Sequence, residues 1–176
     1  MKKKGPVRFN FFQQDKKLLV MPTIHIETLI KAPIERVFDL SRSIDLHQLS
    51  THQTNEKAIA GRLSGLIELH ETVTWRARHF GIYQKLSVAI TAFDRPYRFE
   101  DKMLKGAFES MEHTHLFEQQ AEGTNMIDIF TFKAPLGILG WVAEKLFLTT
   151  YMAAFLKKRN ETIRSVAEGE LWKQFV

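Results

Sequence analysis

Residues 70–81, HETVTWRARHFG, alternate between two faces as a half-buried β-strand does. Every second residue from Glu71 onward belongs to a set that is apolar at its centre, whereas the other set is rich in Thr and Arg. The first set is therefore predicted to face inward. The FG dipeptide at 80–81 predicts a tight turn into a second alternating stretch, residues 82–93. Strands joined by so short a connection must be antiparallel, so this stretch indicates an antiparallel sheet.

Alternating stretches continue on both sides of this hairpin. Between Gly, Pro and Asp breaks, which favour turns, we predict the strands 55–61, 66–79, 82–93, 97–105, 107–119 and 124–133. Upstream, residues 22–33 predict one more strand, and residues 34–38 and 42–50 predict two short helices. The chain therefore contains seven predicted strands and two short helices before residue 134.

Near the end of the chain, the spacing of apolar residues changes from the alternation of strands to the spacing of a helix. Residues 141–167 predict a long amphipathic helix without interior Pro or Gly, and residues 157–159 are expected on its solvated face. The apolar stripe of this helix is Val142, Leu148, Met152, Phe155, Ile163 and Val166. An apolar sheet face must be covered, and this helix is the only large cover that the sequence offers. We thus predict an α+β fold in which a curved seven-stranded sheet surrounds the C-terminal helix.

Composition places the chain among ordinary globular proteins. It has 176 residues, 44% hydrophobic and 26% charged, which suits one domain. The absence of cysteine excludes disulfides, thiolate metal sites and cysteine nucleophiles, and suits a reducing, cytoplasmic location. The positive charge is local, because residues 1–20 hold six basic residues and one acid, and the remainder carries 19 of each. A neutral folded part argues against nucleic-acid binding.

The predicted domain begins near Met21, where the first strand pattern starts. Residues 1–20 are expected to be an N-terminal extension that is either disordered or not native, since they lack the apolar segment and cleavage site of a signal peptide. We expect one domain over residues 21–168 and a short tail over 169–176. No apolar run approaches the roughly 20 residues that cross a bilayer, which leaves peripheral membrane contact open. The oligomeric state does not follow from the sequence.

Three stretches carry a family resemblance: 23–50 (TIHIETLIKAPIERVFDLSRSIDLHQLS), 58–82 (AIAGRLSGLIELHETVTWRARHFGI) and 113–160 (from HTHLFEQQ to AAFLKKRN). They closely resemble bacterial members of the START/pollen-allergen-like superfamily (SRPBCC), in a branch labelled cyclase/dehydratase or lipid transport. The resemblance implies the helix-grip fold with an elongated cavity, in agreement with the element count. Members of this superfamily bind lipids, sterols, polyketides or hormones, and a few are enzymes. Function therefore does not follow from this fold.

The inward faces of the central strands also carry acids and imidazoles: Glu71, His79, Asp101, His113, His115 and Asp128. A buried carboxylate without a partner costs several kcal/mol, so each acid must meet a donor, a metal ion or solvent. Three interpretations compete. The groups form a polar network that satisfies itself, they are the polar part of a ligand cavity, or they bind a metal.

The metal hypothesis depends on the H-x-H pair formed by His113 and His115. On one strand face their Cα atoms would lie about 7 Å apart, and a nearby carboxylate would complete a zinc or iron site. This spacing is common by chance and the sequence fixes no third ligand. We therefore predict neither a metal nor another cofactor.

We predict that the cavity binds or transports a small hydrophobic ligand with a polar or anionic end. Its apolar wall is predicted to be Val73, Trp75, Leu86, Val88, Phe99, Phe117, Phe130, Met152 and Phe155, and the six inward polar residues would orient the ligand. The first alternative is a cofactor-free cyclase, dehydratase or isomerase acting on a polyketide-like or lipid-like substrate through the same groups. The second is a module that binds a protein partner. Common catalytic motifs are absent from the sequence, so we expect binding rather than catalysis.

Overall fold

The computed structural model describes residues 21–176 and contains the predicted elements in the predicted order. The strands are β1 (Thr23–Ile30), β2 (Lys57–Gly61), β3 (Thr72–His79), β4 (Ile82–Asp94), β5 (Arg98–Lys105), β6 (Ser110–Gln120) and β7 (Gly123–Lys133). The helices are α1 (Ile34–Ser41), α2 (Ile44–Ser50), α3 (Ile138–Ala143) and α4 (Thr149–Glu168), with a π-helical turn at Glu144–Leu148. The predicted extension, residues 1–20, lies outside the described residues, and the division into extension, domain and tail stays a prediction.

All seven strands form one antiparallel sheet with the order β1-β7-β6-β5-β4-β3-β2. Each strand from β2 to β6 pairs with the next one in the chain, and β1 pairs with β7. The sheet is curved, and α4 packs against β1, α1 and α2. The predicted α+β architecture is confirmed.

The hairpin between β3 and β4 has the predicted two-residue turn. Phe80 and Gly81 both have positive φ angles, 52° and 81°, as a type I′ turn requires. Glycine adopts this conformation without strain, whereas phenylalanine rarely does. The turn leaves the Phe80 ring exposed, 5.6 Å from the ring of Phe147 (centroid to centroid).

An aromatic group anchors α1 to the sheet. The ring of Phe38 is fully buried and meets Phe93, Phe99 and Phe117 edge-on at centroid distances of 5.3, 5.6 and 5.3 Å. Such pairs add about 0.5–1.5 kcal/mol each beyond the burial of their area. Because these rings fill the space between α1 and the sheet, Phe117 is a core residue.

The C-terminal helix starts earlier than predicted and is not uniform. It begins at Ile138, and the π-helical turn separates α3 from α4. One extra residue in a turn rotates the following stripe by about 100°. Val142, predicted on the buried stripe, is 38% exposed, whereas Met152, Ile163 and Val166 beyond the π turn are buried.

By length and composition alone, Ile138–Glu168 would qualify as a membrane-spanning helix. The core helices of globular proteins pass the same test. In this chain α4 buries Met152, Leu156 and Ile163 in the core shared with the sheet. Packing therefore accounts for only part of the apolar surface, because 17% of the apolar window is buried in the structure.

Candidate functional site

A cavity of about 640 Å³ lies between the sheet and the C-terminal helix. Its walls are mostly apolar, and its size falls in the range of small-molecule pockets. Twelve of the fifteen predicted site residues line it: Val73, Trp75, His79, Leu86, Val88, Phe99, Asp101, His113, His115, Phe130, Met152 and Phe155. The alternation of the strands brings these side chains to one face, as the sequence indicates. Their part in ligand binding stays a prediction.

The predicted inward placement of Glu71 is wrong, because its side chain does not face the interior. β3 starts at Thr72, and His70 with a φ of 66° turns the chain just before it, so the alternation does not extend back to residue 71. The side chain of Glu71 is 36% exposed and accepts a hydrogen bond of 2.8 Å from the backbone N–H of Glu68. A loop before the strand, rather than a cavity, satisfies this acid.

Two further predicted residues do not line the cavity. Phe117 is in the aromatic group of α1, where Phe38 covers it. Asp128 is completely buried and contacts two imidazoles that do line the cavity. Phe117 thus supports the fold, and Asp128 acts on the cavity only through its neighbours.

Asp128 is the centre of the first polar group, which we call the Asp128 cluster: Asp101, His113, His115, Asp128, Arg159 and Asn160. The sheet register explains it, because Asp101 pairs with His113 across β5 and β6, and His115 pairs with Asp128 across β6 and β7. Residues paired in this way point to the same side of the sheet.

The oxygens of Asp128 have close partners on two elements. His113 Nε2 donates to Asp128 Oδ1 at 2.9 Å, and Asn160 Nδ2 donates to Oδ2 at 2.6 Å. His115 Nδ1 lies 2.7 Å from Oδ1 without the alignment of a hydrogen bond, while its Nε2 donates to Asp101 Oδ1 at 3.4 Å. Arg159 Nη1 is 3.7 Å from Oδ1. The cluster therefore links α4 to the sheet through polar contacts.

Burial and charge set the protonation of this cluster. Burial opposes ionisation of Asp128, but the hydrogen bond from His113 and the close approach of the His115 imidazole outweigh it, so the pKa of Asp128 lies well below its usual value. Burial also opposes the charged form of His115, yet Asp101 and Asp128 raise its pKa. Burial, helped by the charge of His115, lowers the pKa of His113. The expected state has two carboxylates balanced by His115 and Arg159, with a neutral His113.

Three residues of the Asp128 cluster have the geometry of a metal site. Asp101, His113 and His115 each offer one ligand atom, and these atoms lie within 4.8 Å of one another. This set would suit zinc or iron. Both imidazoles are already directed at carboxylates, however, and the positive charge of Arg159 acts on Asp101 and His115. A cation would have to compete with these contacts, so we retain the prediction of no metal.

A second polar group, the Glu56 cluster, lines another part of the same cavity and consists of His47, Glu56, His79 and Tyr151. His79 Nδ1 and Tyr151 Oη share a hydrogen bond of 2.7 Å. His47 stacks on Trp75 at 4.1 Å between ring centroids, and its Nε2 lies 3.5 Å from Glu56 Oε1. Of this cluster, the sequence analysis predicts only His79 as a site residue.

Glu56 is 7% exposed and precedes β2 directly. Burial opposes its ionisation, but the close approach of the His47 imidazole and the charge of His79 outweigh this effect and lower the pKa of Glu56. Within residues 21–176, Glu56 Oε2 and His47 Nε2 are buried without a hydrogen-bond partner. The Glu56 cluster thus has hydrogen-bonding capacity that the described protein does not use.

Sequence reasoning misses five functional candidates: His47, Glu56, Tyr151, Arg159 and Asn160. Glu56 follows Asn55, whose left-handed conformation (φ 51°) redirects the chain, and no alternation extends to such a position. The sequence predicts Arg159 on the solvated face with Lys157 and Lys158, but it is buried and donates to the carbonyl oxygen of Ser41 at 2.9 Å. The helical position of residue 159 relative to Met152 and Ile163 is the only available signal.

The rim of the cavity is apolar and exposed. Phe80, Leu136, Leu139 and Phe147 line the cavity and are 49–77% exposed. Ile138 and Leu146 extend this surface with exposures of 81% and 75%. The apolar interior is therefore continuous with an apolar patch on the outside.

Comparison with known proteins identifies the fold and nothing more specific. No protein-family model and no curated protein matches the chain. Among solved structures, TTHA0849 from Thermus thermophilus is 20% identical over 83% of this chain and 99% of its own, with a TM-score of 0.65. Major latex-like protein 151 from Panax ginseng is 15% identical over 85% and 99%, with a TM-score of 0.63. CV1439 from Chromobacterium violaceum is 11% identical over 84% and 98%, with a TM-score of 0.65.

These similarities confirm the predicted helix-grip fold. At such low identities they show the fold alone and do not assign the chain to a superfamily. The resemblance to a bacterial cyclase/dehydratase branch stays a hypothesis.

Proposed function

We propose that this protein binds or transports a small hydrophobic molecule with a polar end in the cavity between the sheet and the C-terminal helix. The observation that supports this function is the combination of an apolar space of about 640 Å³ with buried polar groups on its wall. Transfer of apolar surface from water into such a space yields about 25 cal/mol per Å². A few fixed polar groups would then orient the ligand.

The polar end of the ligand would meet the Asp128 cluster. Arg159 lines the cavity, and its guanidinium has five N–H groups, of which the described residues engage those directed at Ser41 and Asn160. His113 lines the same part of the wall. An oxygen or an anionic group of the ligand could accept hydrogen bonds there, next to the apolar side chains of Phe99 and Phe130.

Filling the cavity tests this proposal. Ala77 is buried on the cavity wall, and Ala77→Phe would place a ring in the space. We expect at least a tenfold loss of affinity for lauric acid, measured by displacement of anilinonaphthalene sulfonate, with a cooperative thermal transition retained. Native mass spectrometry with organic extraction should also detect a copurified ligand.

The matched control is Ala89→Phe on the neighbouring β4. Residues on either side of Ala89, Val88 and Ile90, line the cavity, whereas Ala89 does not. This variant should keep wild-type affinity. Equal affinities for wild type and Ala77→Phe, or protein that repeatedly copurifies empty, would contradict the proposal.

A second candidate function has one specific observation in its favour. His113 is kept neutral by burial, and its Nε2 is fixed by Asp128 at the cavity wall. A neutral, oriented imidazole is a general base, as a cofactor-free cyclase, dehydratase or isomerase needs. His113→Gln should then abolish turnover of a polyketide-like substrate while binding persists. Loss of binding together with turnover would favour the carrier.

The exposed apolar rim keeps the third candidate, a partner-binding module, under consideration. Patches of several hundred Å² often mark interaction sites. Because four of the rim residues also line the cavity, the rim is explained equally well as its entrance. The cytoplasmic location of the protein stays a prediction.

A further inference from the structure

We propose that the Glu56 cluster is a second recognition site, and that it binds a hydroxyl group at the far end of the ligand. The inference rests on the proposed function, because it concerns the same cavity. The ligand would accordingly be an apolar molecule with polar groups at both ends rather than a simple amphiphile.

The Glu56 cluster has hydrogen-bonding capacity that the described residues leave unused. Glu56 is more than nine-tenths buried, lines the cavity, and has in Oε2 an acceptor with no hydrogen-bond donor among the described residues. His47 Nε2 is likewise buried and unpartnered in residues 21–176. A buried polar atom without a partner destabilises the site, so a ligand group that satisfies both atoms binds more tightly there.

A hydroxyl group of the ligand fits the hydrogen-bonding capacity of Glu56 and His47. The pKa of Glu56 is lowered, so its carboxylate is ionised and can only accept hydrogen bonds, whereas an imidazole N–H can donate one. A hydroxyl donates one hydrogen bond and accepts others, so it can give its proton to Glu56 and accept from His47. A carboxylate would be repelled by Glu56, and a methyl group would leave both atoms unsatisfied.

The distance between the two clusters limits the length of the ligand. Tyr151 and Arg159 both belong to α4 and line the cavity eight residues apart, which corresponds to about 12 Å along the helix. Across the sheet, His79 on β3 and His113 on β6 are three strand spacings apart, about 14 Å before curvature is considered. A medium-length acyl chain spans such a distance, with its carboxylate near Arg159 and its terminal hydroxyl near Glu56.

A pair of fatty acids that differ only at the far end tests this inference. We expect wild-type protein to bind ω-hydroxylauric acid about tenfold more tightly than lauric acid, as measured by isothermal titration calorimetry. Glu56→Leu, which has similar volume and no polar side-chain atom, should abolish the preference. Glu56→Gln should retain part of the preference.

The matched control is Glu100→Gln, since Glu100 is also a buried acid but does not line the cavity. It should keep the full preference. Equal binding of the two acids by wild type, or a preference that survives in Glu56→Leu, would overturn the second site while the proposed function stands. Failure of both acids to bind would overturn the second site and count against the proposed function as well.

Discussion

The two polar clusters share one cavity but are built differently. In the Asp128 cluster, both carboxylate oxygens of the central acid have partners within 3 Å, supplied by β6 and α4. In the Glu56 cluster, the acid comes from a loop, its closest imidazole nitrogen is 3.5 Å away, and one oxygen has no partner within residues 21–176. Buried acids therefore have two roles in this protein. Asp128 links α4 to the sheet, whereas Glu56 has an oxygen that can accept a further hydrogen bond.

This difference implies that the clusters should respond differently to mutation. Removal of an acid that neutralises buried positive charge should reduce stability. Removal of an acid with unused hydrogen-bonding capacity should change binding and have little effect on folding. The following experiments test this contrast, beginning with the largest expected effect.

Asp128→Asn should lower the free energy of unfolding by about 3–5 kcal/mol, because it leaves Asp101 alone to balance the buried charges of His115 and Arg159. Urea unfolding followed by circular dichroism measures this loss. Glu118→Gln is the control, since Glu118 is exposed on the strand that carries His115, and it should remain within about 0.5 kcal/mol of wild type. A loss below about 1 kcal/mol for Asp128→Asn would show that this cluster does not bind the helix to the sheet.

Stability should depend on pH through His115 with a definite sign. The pKa of His115 is raised by Asp101 and Asp128, which outweigh burial and Arg159, so its protonation stabilises the folded state below pH 6.5. This contribution is lost as pH rises through the folded-state pKa. The pKa of His113 is lowered, so its effect on stability has the opposite sign. Its neutral form stabilises the folded state above pH 6.5, and this contribution is lost as pH falls below that value.

The measurement for this prediction is the difference in unfolding free energy between wild type and His115→Gln over the pH range of about 5 to 9. We expect the advantage of wild type to shrink as pH rises. The control Gln120→Ala changes an exposed side chain without an ionisable group on the strand that carries His115, and it should give a difference that does not vary with pH. An advantage of wild type that grows with pH would show that the imidazole of His115 is neutral in the fold.

Glu56→Leu should change the free energy of unfolding by less than about 1 kcal/mol. The substitution removes a buried charge and its unsatisfied oxygen together, so the lost attraction to His47 and the relieved desolvation oppose each other. Thermal unfolding of this variant beside Asp128→Asn gives the direct comparison. A loss comparable to that of Asp128→Asn would mean that Glu56 is a structural acid.

Added zinc should leave the melting temperature unchanged. Asp101, His113 and His115 are already engaged with each other or with Asp128, and Arg159 adds a positive charge nearby. Metal analysis of untagged protein, followed by thermal unfolding with and without stoichiometric zinc, checks this expectation. Stoichiometric bound zinc or iron would contradict the prediction of no metal.

The sequence predicts the fold and the strand residues of the Asp128 cluster for the same physical reason. Alternation in β5, β6 and β7 places Asp101, His113 and His115 on the face that becomes the cavity wall. The orientation of a side chain is not predicted correctly where the strand alternation ends. Glu71 lies beyond a left-handed residue before β3, and Glu56 lies beyond another before β2, so neither orientation follows from a strand pattern.

Helical residues show a related limit. The charge of Arg159 predicts a solvated side chain, but its burial depends on Asp128 and on the carbonyl oxygen of Ser41, which are far away in the chain. A charged residue on a helix is ordinarily exposed unless it has a buried partner. Pairing between distant elements cannot be read from a single sequence, and it is the information that distinguishes a structural arginine from a solvated one.

The π-helical turn at Glu144–Leu148 divides the C-terminal helix into two parts with different structural roles. Beyond it, α4 provides the packed wall, whereas before it α3 presents Ile138 and Leu139 to water. Exposed positions of α3 that do not line the cavity, namely Ile138, Trp141 and Val142, can therefore be changed without altering the cavity wall. Polar residues at these positions would give a protein with the same cavity and a different entrance, which would separate selection at entry from selection by binding.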